Sequence, residues 1–97
     1  MIAVRFLPAA CEELVASIAY YEERQRGLGA RLNAEVEPAI ATIIAFPAIG
    51  AAVARNARRL LLNRFPYAVV YRASTDEILV VAVVHQRRRP GYWRKRT

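Results

Sequence analysis

The sequence predicts an α+β domain in which a small antiparallel sheet carries an N-terminal helical hairpin on one face. Apolar residues recur at helical spacing in the first half of the chain. Short β-branched runs separated by turn residues fill the second half, and a short apolar stretch precedes both. Because 97 residues suffice for one small core, we expect a single domain over residues 1–97. The predicted order is strand, helix, helix, strand, strand, strand.

The N-terminal part predicts an edge strand and a first helix. Ile2 to Leu7 is apolar apart from Arg5, and Pro8 is tolerated in a first helical turn, where its missing N–H has no intrahelical partner. One helical face carries Ala10, Leu14, Ile18 and Tyr21. Gly27 and Gly29 predict the end of this helix and a tight turn.

A second helix is predicted from near Ala30 to Phe46-Pro47. Its apolar stripe consists of Leu32, Val36, Ile40 and Ile43. Pro38 interrupts the pattern, because a proline within a helix removes a backbone bond and clashes with the carbonyl of Ala34. We expect a kink at Pro38, or a break that makes two helices.

Residues 48–57 predict a loop or a short irregular helix, and three strands follow at 58–62, 67–72 and 78–84. The last strand is an unbroken apolar run, mostly β-branched, which is too short to cross a membrane and indicates burial on both faces. These three strands predict an antiparallel meander, which the N-terminal strand joins as a fourth strand of the same sheet. The tail after Pro90 is predicted to be a flexible segment.

The composition predicts a cytoplasmic protein without metal or cofactor. No apolar run approaches transmembrane length, and Arg5 interrupts the only apolar stretch at the N-terminus. One cysteine and one histidine make a poor set of metal ligands and allow no internal disulfide. We expect Cys11 to be a small buried hydrophobe.

Positive charge is concentrated in the second half of the chain. Residues 1–54 hold four basic and six acidic residues (net −2), whereas residues 55–97 hold eleven basic and two acidic residues (net +9). Fourteen of the 15 cations are arginine, which favours bidentate contact with phosphate or carboxylate. We therefore expect a polyanionic partner, either nucleic acid or an acidic protein. The alternative is a basic surface without a special partner.

Three motifs in this chain resemble the RelE/ParE superfamily, the toxin halves of bacterial type II toxin–antitoxin pairs, often called plasmid stabilisation proteins. The first motif is Tyr20-Tyr21-Glu22 before Leu28-Gly29. The second is Arg64-Phe65-Pro66-Tyr67 leading into Val69-Val70-Tyr71. The third is the segment from His85 to Trp93. The resemblance covers nearly the whole chain and implies a small sheet with a helical hairpin packed on it.

The resemblance implies one of two activities. RelE-like members are ribosome-dependent endoribonucleases that cut messenger RNA, and ParE-like members poison DNA gyrase. Both are neutralised by an antitoxin whose C-terminal segment wraps the toxin. The complexes commonly repress their own operon, so operator DNA is expected only through the antitoxin.

A ribonuclease site can be drawn around His85, the only side chain here that readily exchanges a proton near neutral pH. Arg87 would share its face on a continuing strand, and Arg64 and Tyr92 would supply charge and a phenol. Three features count against this reading. Ala68 stands where the resemblance implies a phosphate-stabilising arginine, and the only lysine is Lys95, whereas the resemblance implies a lysine-rich loop before that strand in a ribonuclease. The resemblance also implies a catalytic residue close to the C-terminus, but a dozen residues follow His85. A hydrogen-bonded histidine at a strand end is the simpler interpretation of His85.

The sequence therefore favours a ParE-like toxin that acts by binding rather than by cleavage. The residues predicted to contact the target or the antitoxin are Arg58, Arg59, Arg64, Arg87, Arg88, Arg89 and Trp93. The cognate antitoxin should be acidic in its toxin-binding segment. The alternatives are the messenger RNA endoribonuclease and a non-toxic basic module whose arginines bind nucleic-acid phosphates.

Overall fold

The computed structural model describes residues 2–96 and confirms the predicted α+β class. Its elements are β1 (Ala3–Phe6), α1 (Pro8–Arg24), α2 (Leu28–Ala45), β2 (Ala51–Ala54), β3 (Ala57–Leu61), β4 (Tyr67–Ala73), β5 (Glu77–His85) and a 3-10 helix, η1 (Arg94–Arg96). The strands form one sheet in the order β1-β5-β4-β3-β2. β1 is parallel to β5, and every other neighbouring pair is antiparallel, so the sheet is mixed rather than wholly antiparallel as predicted.

The helical hairpin and one face of the sheet enclose the larger hydrophobic core. Alternation along β4 directs Tyr67, Val69 and Tyr71 towards this core. Leu32 and Ile43 of α2 reach the same core and are fully buried. The predicted apolar faces of both helices are therefore confirmed.

The turn between the helices explains the spacing of the first motif. Gly27 has a φ of +87°, a left-handed conformation that glycine adopts at little cost. The Glu22 carboxylate accepts hydrogen bonds from the backbone N–H groups of Gly27 (2.9 Å) and Gly29 (3.1 Å), at the start of α2. At Gly29 the two helices approach so closely that an added Cβ would lie 2.5 Å from the carbonyl oxygen of Ile18. The first motif thus fixes the crossing of α1 and α2.

Pro38 lies inside α2 without ending it, so of the two expected outcomes, a kink or a break into two helices, the break does not occur. Leu32 and Val36 anchor the helix in the core before the proline, and Ile43 anchors it afterwards. Packing on both sides therefore outweighs the loss of one backbone hydrogen bond. Thr42 adds a side-chain hydrogen bond to the carbonyl oxygen of Pro38 at 3.0 Å.

The segment predicted as a loop or irregular helix contains a fifth strand, β2, at the edge of the sheet next to β3. Arg55 and Asn56 form the turn of this hairpin, with Ala54 paired to Ala57 across it. Asn56 adopts a φ of +61°, a conformation that asparagine tolerates better than most residues. The run of small residues in β2 carries no alternating pattern that would have predicted a strand.

The C-terminal tail, residues 86–96, packs against the face of the sheet opposite the helices, so the prediction of a flexible segment is wrong for the residues described. Trp93 is only 4% exposed and forms a second apolar cluster with Val70 and Val81 of the sheet. The burial of β5 on both faces is confirmed, because this cluster covers its second face.

Cys11 is exposed rather than buried, which contradicts the prediction. Ala10 and Leu14 carry the buried face of α1, and a residue one position after Ala10 lies about 100° further round the helix. Within residues 2–96, neither helix combines the length and apolar character needed to cross a membrane.

Candidate functional site

The three motifs meet in a row of aromatic side chains at one end of the sheet. Tyr21 contacts Phe65 and Tyr67 edge to face, with ring centroids 5.1 and 6.1 Å apart. Tyr67 contacts the His85 imidazole in the same way at 5.1 Å. Such pairs contribute about 0.5–1.5 kcal/mol beyond the area they bury. The row therefore joins α1 to the start of β4 and the end of β5.

His85 is the last residue of β5, and its ring is held by its neighbours. The backbone N–H of Arg87 donates to Nδ1 of His85 at 3.0 Å, which makes Nδ1 an acceptor and places the ring proton of the neutral imidazole on Nε2. The ring packs against Tyr67 on the helix side of the sheet. Within the described chain, no carboxylate hydrogen-bonds to this imidazole. This geometry is that of a structural histidine at a strand end.

The other residues of the ribonuclease hypothesis are turned to different contacts. The Tyr92 hydroxyl donates to Oε2 of Glu13. Burial, and then the hydrogen bond to Glu13, raise the pKa of Tyr92 to about 12, so the phenol stays protonated. Arg87 follows β5 in a turn instead of continuing the strand. Arg64 lines a cavity beside α2 that His85 does not line.

A cavity of about 220 Å³ lies on the face of the sheet opposite the helices, beneath the C-terminal tail. We call it the arginine cavity because three guanidinium-bearing residues line it: Arg59 from β3, and Arg88 and Arg94 from the tail. Its apolar lining consists of Val53, Ala68, Val70, Val84, Pro90 and Trp93. His85, Gln86 and Gly91 complete the lining, so the only histidine of the sequence borders the same cavity as the three arginines. Among residues 2–96, no carboxylate lines it.

The three cavity arginines are held to different degrees. Arg88 lies with Cζ 4.1 Å from the centroid of the Tyr92 ring, a cation–π contact. Arg94 donates from Nη2 to the carbonyl oxygen of Val53 at 3.4 Å. Arg59 is exposed and makes no side-chain hydrogen bond within residues 2–96. Positive charge beside an apolar lining attracts an anionic group more strongly than charge on an open surface does. The cavity therefore suits a carboxylate or phosphate attached to an apolar body.

The structure divides the seven predicted contact residues into separate groups. Arg59 and Arg88 meet in the arginine cavity. Arg87 and Arg89 are exposed in the turn beside it. Arg64 lines a different cavity, beside α2.

The two remaining predicted contacts are used inside the fold. Arg58 donates from Nη1 to the carbonyl oxygens of Ala48 (3.2 Å) and Gly50 (2.8 Å), and so holds the loop after α2. Trp93 is buried and lines the cavity from within, where it supports the tail rather than offering a free surface.

Sequence reasoning missed two residues of this region, Arg94 and Glu13. Arg94 was hidden in a tail predicted to be flexible. Glu13 accepts hydrogen bonds from Tyr92 and Arg96 although some eighty residues separate it from them. No local pattern predicts such a contact. One indirect signal was present. Because β5 was predicted to be buried on both faces, some other segment had to cover the face that the helices do not cover.

The fold is similar to that of a solved chain described as the chromosomal ParDE TA system from P. aeruginosa. The TM-score is 0.64 at 15% identity, and the match covers 88% of this chain and 96% of that chain. No curated protein sequence matches this one. The model of a family described as the ParE toxin of type II toxin–antitoxin system, parDE, matches residues 4–90. Because that match spans most of the 97 residues, the chain belongs to the ParE toxin family of type II toxin–antitoxin systems.

Proposed function

We propose that this ParE-family toxin acts by binding DNA gyrase rather than by cutting RNA, and that an acidic antitoxin neutralises it. The observation that carries the proposal is the arginine cavity, where three arginines stand beside an apolar lining and no acidic side chain of the described residues intrudes. Such a surface recognises an acidic segment that also brings apolar side chains, as a protein does. The family match supports a ParE-type toxin, and the gyrase target is carried over from the resemblance of the sequence to ParE-like members.

The alternative, a messenger RNA endoribonuclease, would need a base, an acid and a cation converging on one phosphate. Here the Tyr92 hydroxyl is bonded to Glu13, and Nδ1 of His85 accepts the Arg87 N–H. Ala68 contributes a methyl group to the cavity at the position where the resemblance implies an arginine. These contacts favour a binding surface over a catalytic centre.

The antitoxin part of the proposal rests on charge. The expected partner is a small protein, acidic in its toxin-binding segment, encoded beside this chain. Charge complementarity should accelerate its capture, and apolar anchors should supply most of the affinity. Raising the salt concentration should therefore slow association markedly and change dissociation little. An association rate that does not depend on salt would contradict this part.

Induction of the chain in cells that lack the antitoxin tests the target. DNA, RNA and protein synthesis are followed separately after induction. The proposal predicts an early stop in DNA synthesis with DNA-damage signalling. An early stop in translation with cut messages would establish the endoribonuclease instead. An absence of any growth defect would favour an inactive relic or a plain nucleic-acid-binding module.

A further inference from the structure

The carboxylate of Glu13 on α1 joins three separate parts of the chain. Its two oxygens accept hydrogen bonds from Nη1 (2.9 Å) and Nη2 (3.0 Å) of Arg96, from the Tyr92 hydroxyl, and from the Val83 backbone N–H (3.1 Å). The Glu13 side chain is only 16% exposed. A largely buried carboxylate with four donors is far more constrained than an ordinary surface glutamate.

The position of Glu13 explains why these donors converge on it. β1 ends at Phe6, and its last hydrogen bond to β5 runs from the Leu7 N–H to the Val80 carbonyl. Beyond that point Glu13 accepts the Val83 N–H, and Nη1 of Arg96 donates to the Val81 carbonyl at 3.1 Å. The ion pair therefore satisfies backbone groups of β5 where β1 has ended.

A second chain of contacts runs from Glu13 to the arginine cavity. The hydroxyl of Tyr92 is fixed by Glu13, and its ring contacts two guanidinium groups. Arg88 has Cζ at 4.1 Å from the ring centroid, and Arg96 has Cζ at 5.1 Å. Arg88 also lines the cavity, and the neighbouring residue Trp93 supplies part of its apolar lining.

We propose that Glu13 is the positioning residue of the arginine cavity. By holding Tyr92 and Arg96 it docks the C-terminal tail on the sheet, and the docked tail supplies two of the three cavity arginines. Glu13 itself does not line the cavity and touches no partner there. The inference rests on the proposed function in one respect, namely that the cavity receives the acidic partner.

A purely structural role for Glu13 makes a different prediction. In that case its loss would lower the stability of the fold, but the molecules that remain folded would keep a docked tail and full affinity. A positioning role requires that folded molecules lose tail docking and affinity together. The two roles are therefore separable in one set of variants.

Glu13→Gln keeps the shape of the side chain and removes the charge that holds Arg96. Glu12→Gln is its matched control, because the neighbouring residue is exposed on the same helix and the change in net charge is identical. Tyr92→Phe is the second variant. It keeps the ring beneath Arg88 and removes only the hydroxyl bond to Glu13, so it disturbs the fold least.

Two measurements are made on each variant at a urea concentration where it is fully folded. Trp93 is the only tryptophan, so quenching of its fluorescence by acrylamide reports tail docking. The affinity for a short poly-L-glutamate peptide reports the cavity. We expect Glu13→Gln to raise quenching and to weaken peptide binding about two- to fivefold relative to Glu12→Gln, the effect of releasing a cation–π contact. Tyr92→Phe should likewise raise the quenching and weaken peptide binding.

The proposal would be overturned if Glu13→Gln showed the same quenching and the same peptide affinity as Glu12→Gln. If Glu13→Gln does not fold, it would be overturned by a Tyr92→Phe variant whose quenching and affinity equal those of the unaltered chain. An absence of peptide binding by the unaltered chain would overturn it as well. Gyrase inhibition is measured separately on the same samples. Failure to inhibit gyrase, with the expected quenching and peptide binding, would count against the gyrase target alone.

Discussion

The two faces of the sheet are covered in different ways. Two long helices cover one face with a continuous apolar core, and all three family motifs reach it through the row from Tyr21 to His85. The opposite face is covered in part by the C-terminal tail, with Trp93 as its apolar anchor. The motifs by which the family is recognised therefore build the helix-covered core, but the third motif, from His85 to Trp93, also supplies Arg88 and Trp93 to the candidate binding surface on the other side.

The largest effect is expected under the helices. Leu32 is fully buried in the larger core. Leu32→Ala removes buried methyl groups and leaves a cavity that the two helices cannot fill. The free energy of unfolding should fall by about 2–5 kcal/mol, measured by urea denaturation.

Val15→Ala is the control on the same hairpin, because Val15 is 60% exposed. Its effect should stay within about 0.5 kcal/mol. A loss below about 1 kcal/mol in Leu32→Ala would contradict the view that the helix-covered face holds the domain together.

A smaller, pH-dependent effect is expected where the tail meets α1. Burial alone would raise the pKa of Glu13, but hydrogen bonds from Arg96, Tyr92 and the Val83 N–H outweigh it and hold the pKa below its ordinary value. A carboxyl whose pKa is lower in the folded than in the unfolded state stabilises the fold at pH values above its unfolded pKa. That contribution is lost as the pH falls through the folded pKa.

Glu13→Gln should therefore lower the free energy of unfolding by about 1–3 kcal/mol at neutral pH. The difference from the unaltered protein should shrink below about pH 4.5, the ordinary pKa of a glutamate, as Glu13 itself becomes neutral. Urea denaturation across this pH range measures it. A difference that stays constant down to low pH would show that the charge of Glu13 is not what stabilises the tail.

The arginine cavity predicts an effect on function with little effect on stability. Arg59 is exposed, so Arg59→Gln should leave the unfolding curve nearly unchanged. The loss of a central interface contact commonly costs more than about 1 kcal/mol, or about fivefold in affinity. The concentration needed to inhibit gyrase should rise by about that factor.

Arg89→Gln is the matched control, since Arg89 is exposed in the tail and does not line the cavity. The sequence alone predicted both arginines as contacts. Equal losses in the two variants would show that binding depends on total charge instead of on the cavity.

The smallest effect on function is expected at His85. Its imidazole packs against Tyr67 and accepts the Arg87 N–H. His85→Ala should cost roughly 0.5–1.5 kcal/mol of stability through the lost ring contact. His85 borders the arginine cavity, but its ring packs against Tyr67, so the variant should weaken inhibition by the folded protein less than Arg59→Gln does. A loss of toxicity in His85→Ala without a loss of stability would favour the catalytic alternative.

Much of the helix-covered face could be predicted from the sequence because its signals are local and periodic. The stripe through Leu32 and Ile43 repeats with the period of an α-helix, and the unbroken apolar run of residues 78–84 has the length of a buried strand. The continuity of α2 through Pro38 was not predictable in this way, since it depends on packing from both sides of the proline.

The tail-covered face could not be predicted, because its contacts join residues that share no local pattern. Trp93 packs on Val70 and Val81, and Glu13 binds Tyr92 and Arg96. β2 was missed for a related reason, since small residues at a sheet edge lack alternation. What the sequence offered was a constraint: residues 78–84 of β5 are all apolar, so both faces of this strand had to be covered.

The most direct test of gyrase binding adds purified toxin to DNA gyrase in a supercoiling assay, with an in vitro translation reaction alongside. We predict that supercoiling is inhibited, that Arg59→Gln weakens the inhibition more than Arg89→Gln does, and that messenger RNA in the translation reaction stays intact. Cleaved messenger RNA with unaffected supercoiling would contradict the account and would identify the chain as a ribonuclease.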